Sequence, residues 1–513
     1  MTEPLAEIPK PAHSLLARSE IAVIALMLVI CLCAWVVGLF SRGYDYDEVT
    51  RAHSVWLASQ GLRPYNDFFE CHPPYFALLT PLIRLAPDSS AALVALRIFS
   101  ALGNLAFLAG LAALAASLMP DARRWAWLGV AVVAFHPAVL DYLVEFRIDG
   151  CGYAIAVWSL YLFHSRPRAP RRYLELGLLS GLATLFFSPK LALLTPLVVL
   201  FDLLGGGSNP RASLRLLAAY AAGSALAGLV FFLFLAWSRI DLSLISQLLF
   251  RYHTISNANS SLQRGLLQSL LKLPYLSALT LASLLAAAVH HLRKRTWPRA
   301  YEAAVLVWVA FQVAVVAYPY KQYYAPCFLF ASSFPAYLGR NIADLSRRLG
   351  VLLVVIASAY TAYHATGIAY AWSRFDEAGR QQRAIRWMNR VTLPEDSVVG
   401  LPPIHPIDRR DTFFLWFNTT DPGGFNSERI LQQLPSYRQY VTPDRYRREL
   451  ETHPPALVVL APEGGLGLYP QAQQAALDAF LTKRGYRSAH VGNTFFAVRH
   501  DRHDQARRAG LLE

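Results

Sequence analysis

The chain has 513 residues, of which 55% are hydrophobic and only 16% are charged. Soluble domains average roughly 45–50% apolar and about 25% charged residues, so this composition argues against a soluble protein and indicates a membrane protein. The formal net charge is +14. Because Lys and Arg stand in short clusters between apolar stretches, this charge predicts contact with membrane lipids and argues against nucleic acid as a partner.

The first apolar stretch covers residues 21–40 and runs directly into Arg42-Gly43-Tyr44-Asp45. Its length of about 20 residues is that of one membrane span. No small-residue cleavage site follows it, so it lacks the pattern of a secretory signal peptide. The sequence therefore predicts an uncleaved first span, preceded by a cytoplasmic N-terminus.

The remaining apolar sequence predicts a mainly α-helical, polytopic membrane bundle of about 11 spans. Several of these stretches are shorter than the roughly 17–25 residues that a full crossing needs. The two stretches beside Ser188-Pro189-Lys190 are equally consistent with one broken hairpin. The predicted spans are residues 20–40, 90–118, 125–141, 150–165, 174–187, 191–204, 216–237, 275–290, 301–318, 325–339 and 350–372.

The positive-inside rule gives the predicted orientation. Five loops that are cytoplasmic in this topology all carry Lys and Arg clusters, at residues 123–124, 166–172, 211–215, 293–299 and 340–348. With an odd number of spans, the loop 41–89 and the segment 373–513 then lie outside. We therefore expect an integral protein of a bacterial inner membrane, with its C-terminal segment on the periplasmic face.

The segment 373–513 differs from the rest of the chain because it is polar and rich in proline. It has an amphipathic stretch at 472–483 and short strand-like runs at 397–401, 456–460 and 494–498, a combination typical of an α/β fold. The sequence thus predicts two domains. Residues 1–372 form a transmembrane domain, and residues 373–513 form a soluble α/β domain on the outer face.

The first outer loop has the densest set of ionisable residues. Asp45, Asp47 and Glu48 lie within four residues of one another at the end of the first span. Such carboxylates repel one another near a medium of low dielectric, which raises their proton affinity unless a cation or substrate is bound. The loop continues with further polar residues and a proline pair, Glu70, His72 and Pro73-Pro74. We interpret it as part of a substrate site, the alternative being a solvated loop.

A second charged position lies between the third and fourth predicted spans. Arg147 and Asp149 fall on the outer side in the predicted topology, where they can face the loop that carries Asp47. Ionisable residues at this depth are candidates for function. The alternative is an ion pair that holds two helices together.

Two more segments supply cations and hydroxyl groups on the same predicted side. Lys190 stands between two apolar stretches, and Lys321 stands among four tyrosines that include Tyr323. A phosphate at the membrane surface suits this mixture of cations and hydroxyl donors. The alternative is that each lysine extends its amine to the interface without a ligand.

These motifs, taken in order, resemble the GT-C glycosyltransferases, and among them the group of protein O-mannosyltransferases and lipid A aminoarabinose transferases. The resemblance covers roughly residues 20–372 and rests on Asp47-Glu48, Phe69-Glu70, Pro73-Pro74, Arg147-x-Asp149, Ser188-Pro189-Lys190 and the stretch 321–326. The chain departs from the group at two places. Glu70-Cys71-His72-Pro73-Pro74 replaces a frequent Glu-Lys-Pro-Pro, and Ser188-Pro189-Lys190-Leu191 replaces a frequent Thr-Lys-Gly.

The resemblance implies a hexosyl- or pentosyltransferase that uses a polyprenyl-phosphate-linked sugar on the outer face of the membrane. The acceptor is a hydroxyl group of a lipid, a glycan or a protein, which attacks the anomeric carbon in one inverting displacement. No cofactor is firmly implied. A divalent cation is compatible with the wider clan, but the nearer relatives need none for the chemistry, and the five cysteines have no metal-ligand spacing.

The resemblance also implies a role for each candidate residue. Asp47 is the general base, and Asp45 is its rival because the two bracket one tyrosine. Glu48 and Asp149 complete the catalytic group by positioning the acceptor or the base. The residues expected to bind the donor phosphate are Lys190, Lys321, Arg147 and Tyr323, and those expected to position substrate are Asp45, Glu70 and His72.

Two other classes of protein remain open at this point. A secondary transporter also has many spans and buried charges, but the charges here gather at one predicted face rather than at mid-bilayer. A non-catalytic or ligase-type protein of envelope polysaccharide assembly also places polar loops outside. Such a ligase would not depend on Asp47-Glu48.

Overall fold

The computed structural model describes most of the chain. The described residues are 13–68, 70, 72–206, 209–252, 265–296, 298–316, 320–400, 404–411, 448, 450–460, 471–491 and 494–512. Phe69 and Cys71 of the predicted outer loop and residues 317–319 before Lys321 lie outside this part.

The described chain is mainly α-helical, as predicted. The first half contains α1 (His13–Ser41), α2 (Tyr46–Ser59), α3 (Phe76–Leu85), α4 (Ser89–Leu118), α5 (Arg123–Ala134), α6 (Pro137–Val144), α7 (Asp149–Ser165), α8 (Pro170–Phe186), α9 (Leu194–Gly205) and α10 (Pro210–Trp237). The second half contains α11 (Leu242–Ser246), α12 (Gly265–Leu271), α13 (Pro274–Lys294), α14 (Ala300–Val315), α15 (Lys321–Phe330), α16 (Pro335–Leu345), α17 (Arg347–Phe375), α18 (Glu377–Val391), α19 (Gln471–Lys483) and α20 (His503–Arg508).

Each of the 11 predicted spans overlaps a helix, but the helices differ in length. Within the described residues, five are long and apolar enough to cross a membrane: Ser19–Ser41, Ser89–Leu118, Pro210–Trp237, Pro274–Lys294 and Arg347–Val391. A sixth span is present if the segments Pro120–Ala134 and Pro137–Val144, which are bent by 76°, count as one broken span. The helices at the other predicted spans are shorter than 18 residues.

Glycine allows the closest helix contact, between α8 and α10. A Cβ atom added at Gly177 would lie 2.2 Å from the carbonyl oxygen of Tyr220, and one added at Gly223 would lie 2.1 Å from that of Leu174. Each glycine therefore faces the backbone of the partner helix. Small residues at such crossings are typical of helix packing in membranes, where close van der Waals contact drives association.

A five-stranded sheet follows the helical bundle. Its strands are β1 (Ser397–Gly400), β2 (Arg410–Asp411), β3 (Leu457–Leu460), β4 (Arg487–Val491) and β5 (Thr494–Val498), in the order β2-β1-β3-β5-β4. The pairs β1–β2 and β1–β3 are parallel, and β5 is antiparallel to β3 and β4. Successive side chains of β3 face opposite ways: Val458 packs with Leu477 of α19, and Val459 packs with Met388 of α18. The predicted α/β fold is therefore present.

The sheet region contacts α2, the helix that carries Asp47. Partly buried Tyr46 packs against the sheet core around Val458. His53 Nδ1 lies 2.9 Å from the carbonyl oxygen of Ile407, and the amide of Asp408 donates to Ser89 Oγ at 3.3 Å. The contacts of Tyr46 and His53 hold α2 against the sheet region, and the contact of Ser89 joins the start of α4 to the same region.

Candidate active site

Helix α2 begins with a capping box. The backbone N–H of Glu48 donates to Asp45 Oδ1 at 3.0 Å, and the backbone N–H of Asp45 donates to Glu48 Oε2 at 3.1 Å. This arrangement satisfies amide groups that the first turn of a helix leaves without partners. Asp45 and Glu48 thereby set the position of Asp47, which lies between them in the first turn.

Glu48 is fully buried and surrounded by donors. It accepts hydrogen bonds from Arg97 at 2.7 and 2.8 Å, from Arg42 at 3.1 Å and from the backbone N–H of Phe146 at 2.8 Å. Burial disfavours its charge, but Arg97 and Arg42 hold the pKa of Glu48 below its usual value. Glu48 thus links the start of α2 to α1, to α4 and to the segment between α6 and α7.

Arg147 connects the two aspartates of the first outer loop. Its Nη2 lies 3.2 Å from Asp47 Oδ2 and 3.6 Å from Asp45 Oδ2, and its Nε lies 2.5 Å from Glu145. Arg147 is 3% exposed, whereas the two aspartate side chains are about 30% exposed. Burial alone raises the pKa of Asp47, but the charges of Arg51 and Arg147 outweigh this effect and lower it. Asp47 is therefore a carboxylate at neutral pH.

Arg51, a central residue of the site, was not among the residues predicted from the sequence. Arg51 lies one helical turn after Asp47, and its Nη2 is 3.2 Å from Asp47 Oδ2 and 3.2 Å from His72 Nε2. The spacing from Asp47 is i to i+4, which places both side chains on one face of α2. That spacing was the signal available in the sequence.

Glu70 holds His72 in one orientation. Glu70 Oε1 lies 2.6 Å from His72 Nδ1 and accepts the backbone N–H of His72 at 3.0 Å. The hydroxyl of Tyr65 donates to the carbonyl oxygen of His72. The structure thus brings Glu70 and His72, two of the three predicted substrate-positioning residues, to the Arg51 side of the site.

Lys190, Asp149 and Tyr323 meet although they lie on three separate segments. Lys190 Nζ donates to Asp149 Oδ2 at 3.3 Å and to the carbonyl oxygen of Gln322 at 3.1 Å. It also lies 4.9 Å from the ring centre of Tyr323. Burial, together with the charges of Arg147 and Arg51, lowers the pKa of Lys190 although Asp149 opposes this.

Lys321 lies apart from this group, among acidic side chains. Its Nζ contacts Asp141 Oδ2 at 2.6 Å, contacts Glu145, and lies 3.9 Å from Asp45 Oδ2. Arg42 also pairs with Asp141 and Glu145, at 2.6 and 2.5 Å. Arg42, Arg97, Asp141 and Glu145 were absent from the predicted site because single charges near span ends give no distinctive sequence signal.

A cavity of about 220 Å³ lies between these groups. Its lining is Arg51, His72, Pro73, Arg147, Ile148, Asp149, Phe187, Pro189, Lys190, Leu249, Val316, Gln322 and Tyr323. Both arginines present buried N–H groups that have no hydrogen-bond partner, at Nε and Nη1 of Arg51 and at Nη1 of Arg147. An unpaired buried donor costs about 1–3 kcal/mol, so a hydrogen-bond acceptor that reached these groups would be bound favourably.

The acidic residues of the site do not fit a divalent cation. In the part of the chain that the structure describes, no three His, Cys, Asp or Glu side chains form a group that could hold a metal ion. Each predicted catalytic acid instead faces an arginine or a lysine: Asp47 faces Arg51 and Arg147, Glu48 faces Arg97, and Asp149 faces Lys190. These partners already balance the negative charge that a metal ion would need.

Comparison with solved structures places this arrangement in a known fold. No protein-family model matches the chain, and no curated protein sequence matches it. The crystal structure of ArnT from Cupriavidus metallidurans bound to undecaprenyl phosphate matches with a TM-score of 0.59 and 14% identity, over 92% of this chain and 97% of that chain. The apo structure of the same protein matches with a TM-score of 0.55, the same identity and the same coverage. The chain therefore shares the fold of ArnT, which confirms the fold that the predicted resemblance implies.

Proposed function

We propose that the protein transfers a sugar from a polyprenyl-phosphate carrier to an acceptor hydroxyl on the outer face of the membrane, with inversion at the anomeric carbon. The observation that carries this proposal is a cavity lined by two arginines, Arg51 and Arg147, which both have buried N–H groups without a hydrogen-bond partner and both contact the carboxylate of Asp47. An anion site next to a carboxylate supplies the two functions that the reaction needs. The fold likeness to ArnT, which was crystallised with undecaprenyl phosphate, supports the same class of donor.

The donor phosphate binds in the cavity through charge-assisted hydrogen bonds. Arg51 and Arg147 donate their unpaired N–H groups, and Lys190 adds a third positive charge beside Tyr323. Charge-assisted hydrogen bonds are roughly twice as strong as neutral ones. The same groups stabilise the negative charge that develops on the phosphate as the bond to the sugar breaks.

Asp47 accepts the proton of the acceptor hydroxyl. In the structure its carboxylate is held by Arg51 and Arg147, which makes it a weak base. When the donor phosphate forms hydrogen bonds with these arginines, its negative charge offsets theirs. The Asp47 carboxylate is then less stabilised, and Asp47 becomes a stronger base. The acceptor oxygen then bonds to the anomeric carbon, the carbon–oxygen bond to phosphate breaks, and the polyprenyl phosphate leaves with the electron pair.

The contacts of the other acidic residues support positioning roles. Asp45 caps α2, and Glu48 is saturated by Arg97, Arg42 and backbone amides. Asp149 holds Lys190 at the cavity. Lys321 pairs with Asp141 and Glu145 on the far side of Arg147, so we assign it to the support of Arg147 rather than to phosphate binding.

Turnover of a defined donor tests the proposal. The purified protein, reconstituted in lipid nanodiscs, is incubated with polyprenyl phosphates that carry different radiolabelled hexoses or pentoses, together with a membrane lipid extract. We expect at least one sugar to be transferred or released, with formation of free polyprenyl phosphate. A protein that binds these donors but leaves every one of them chemically unchanged would refute the proposal.

A further inference from the structure

His72 is the ionisable side chain of the cavity that Glu70 orients. Glu70 is 4% exposed, whereas the imidazole of His72 is 35% exposed and lines the cavity. Two hydrogen bonds from His72, through Nδ1 and through its backbone N–H, converge on Glu70 Oε1. The hydroxyl of Tyr65 fixes the carbonyl oxygen of the same residue. The ring is thus held with Nε2 toward the opposite side from Glu70.

The contact of Nε2 defines the state of the ring in this structure. Nε2 lies 3.2 Å from Nη2 of Arg51, and a guanidinium group only donates hydrogen bonds. A neutral ring that accepts at Nε2 and carries its proton on Nδ1, toward Glu70, satisfies both contacts. In this arrangement the charge of Glu70 favours the addition of a second proton and that of Arg51 opposes it.

Other charged groups face His72 from several elements. Two of these groups are on α2. Asp47 interacts electrostatically with His72, and Arg51 contacts its ring. The remaining charged groups of the cavity lie across from it, namely Arg147, Asp149 and Lys190. Asp47 and Asp149 favour a protonated ring, whereas Arg51, Arg147 and Lys190 oppose one. An anion that enters the cavity should pair first with Arg51 and Arg147, because the unpaired N–H groups belong to them. It thereby offsets the charges that oppose protonation of His72.

We propose that His72 is a titratable phosphate ligand, so that donor binding is coupled to the uptake of one proton. The phosphate draws Arg51 away from Nε2, His72 takes a proton from water, and Nε2–H then donates to a phosphate oxygen. This inference rests on the proposed function, because it needs a phosphate in the cavity. No covalent bond forms or breaks in this step, and the proton returns to solvent when polyprenyl phosphate leaves.

The coupling gives donor affinity a definite dependence on pH. Histidine is the side chain whose ordinary titration lies near neutral pH. Below that range His72 is already charged, and binding needs no proton from solvent. Above it, each unit of pH makes the required proton about tenfold scarcer, so the apparent Kd rises by up to about tenfold per pH unit.

Binding of a phosphodiester tests the inference without turnover. The probe is the methyl ester of polyprenyl phosphate, whose single negative charge stays constant between about pH 5.5 and pH 8.5. Binding is measured in nanodiscs for the wild type, His72→Gln, His72→Lys and the control His291→Gln. His291 is a suitable control because it also pairs with a buried glutamate, Glu302, but lies outside the cavity.

We expect wild type and the control to bind more weakly as pH rises, by at least tenfold across this range. His72→Gln should bind weakly at every pH, and His72→Lys should bind tightly with no pH dependence because its charge is permanent over this range. A pH-independent wild type, or an unaltered profile in His72→Gln, would refute the coupling and leave the proposed function standing. Absence of saturable binding at every pH would contradict the proposed function as well.

Discussion

Arg147 Nη2 lies 3.2 Å from Asp47 Oδ2, so the proposed base and a proposed phosphate ligand are in direct contact. The same carboxylate oxygen is 3.2 Å from Arg51. An incoming phosphate therefore competes with Asp47 for both guanidinium groups. This competition links donor binding to the basicity of Asp47, and it predicts that removal of an arginine weakens donor binding and raises the pKa of Asp47 together.

Arg51→Gln removes one of the two arginines and should weaken donor binding. A charge-assisted hydrogen bond contributes about 1.5–3 kcal/mol, so we expect the apparent Kd for polyprenyl phosphate to rise about 10–100-fold. Arg63→Gln is the matched control, because Arg63 is an exposed arginine of the same loop that pairs with the partly exposed Asp67 and does not line the cavity. Equal affinities of the two variants would contradict the assignment of Arg51.

The same variant should shift the pH profile of the reaction. Arg51 is the first of the charges that lower the pKa of Asp47, so its removal raises that pKa. Because Asp47 accepts a proton only when ionised, the acid limb of kcat/KM should move to higher pH in Arg51→Gln. A limb that stays in place, or moves to lower pH, would show that another group titrates in the reaction.

Glu48→Gln should act through stability rather than through chemistry. Glu48 is the buried partner of Arg97 and Arg42, and loss of one partner from a buried ion pair costs about 3–5 kcal/mol. We expect a clearly lower thermal unfolding midpoint in detergent. Glu175→Gln is the control, because Glu175 also pairs with two arginines, Arg166 and Arg171, but at a more exposed position. An unchanged unfolding midpoint in Glu48→Gln would contradict the assignment of Glu48 to a positioning role.

Some parts of this structure follow from the sequence and others do not. The apolar stretches and the α/β pattern depend on local periodicity, and both are found as predicted. The number of full crossings is less certain from sequence, because Pro137 begins a new helix direction within one apolar stretch. Short helices and full spans have similar composition, so hydropathy alone does not separate them.

The site shows the same limit at the level of single residues. Asp47, Arg147, Asp149, Lys190 and His72 lie near one another in the structure. The predicted topology had placed Arg147 and Asp149 where they can face the loop that carries Asp47. The charged partners of these residues could not be predicted in the same way. Each pairing depends on which helices face each other in the folded protein. Arg97 reaches Glu48 from the middle of an apolar helix, and nothing in its sequence neighbourhood marks it as part of the site.

Lys190→Ala should weaken donor use, because Lys190 is the third cation of the cavity. We expect the KM for the donor to rise, or turnover to fall, by about 10–100-fold, the loss of one charge-assisted hydrogen bond. The KM for the acceptor should be unchanged. Lys483→Ala, on the exposed end of α19, is the control. If both variants match the wild type, Lys190 serves only to hold Asp149.

The final prediction separates Asp47 from Asp45. Asp47→Asn keeps the size of the side chain but removes the proton acceptor, so sugar transfer should fall by about 10²–10⁴-fold. Asp45→Asn should cost far less activity, because Asp45 serves as the N-cap of α2 and asparagine is an equally favoured N-cap residue. Both variants must unfold within a few degrees of the wild type and retain binding of polyprenyl phosphate, which excludes loss of activity through misfolding. The reverse ranking would identify Asp45 as the base, and near-full activity of both stable variants would refute the general-base mechanism.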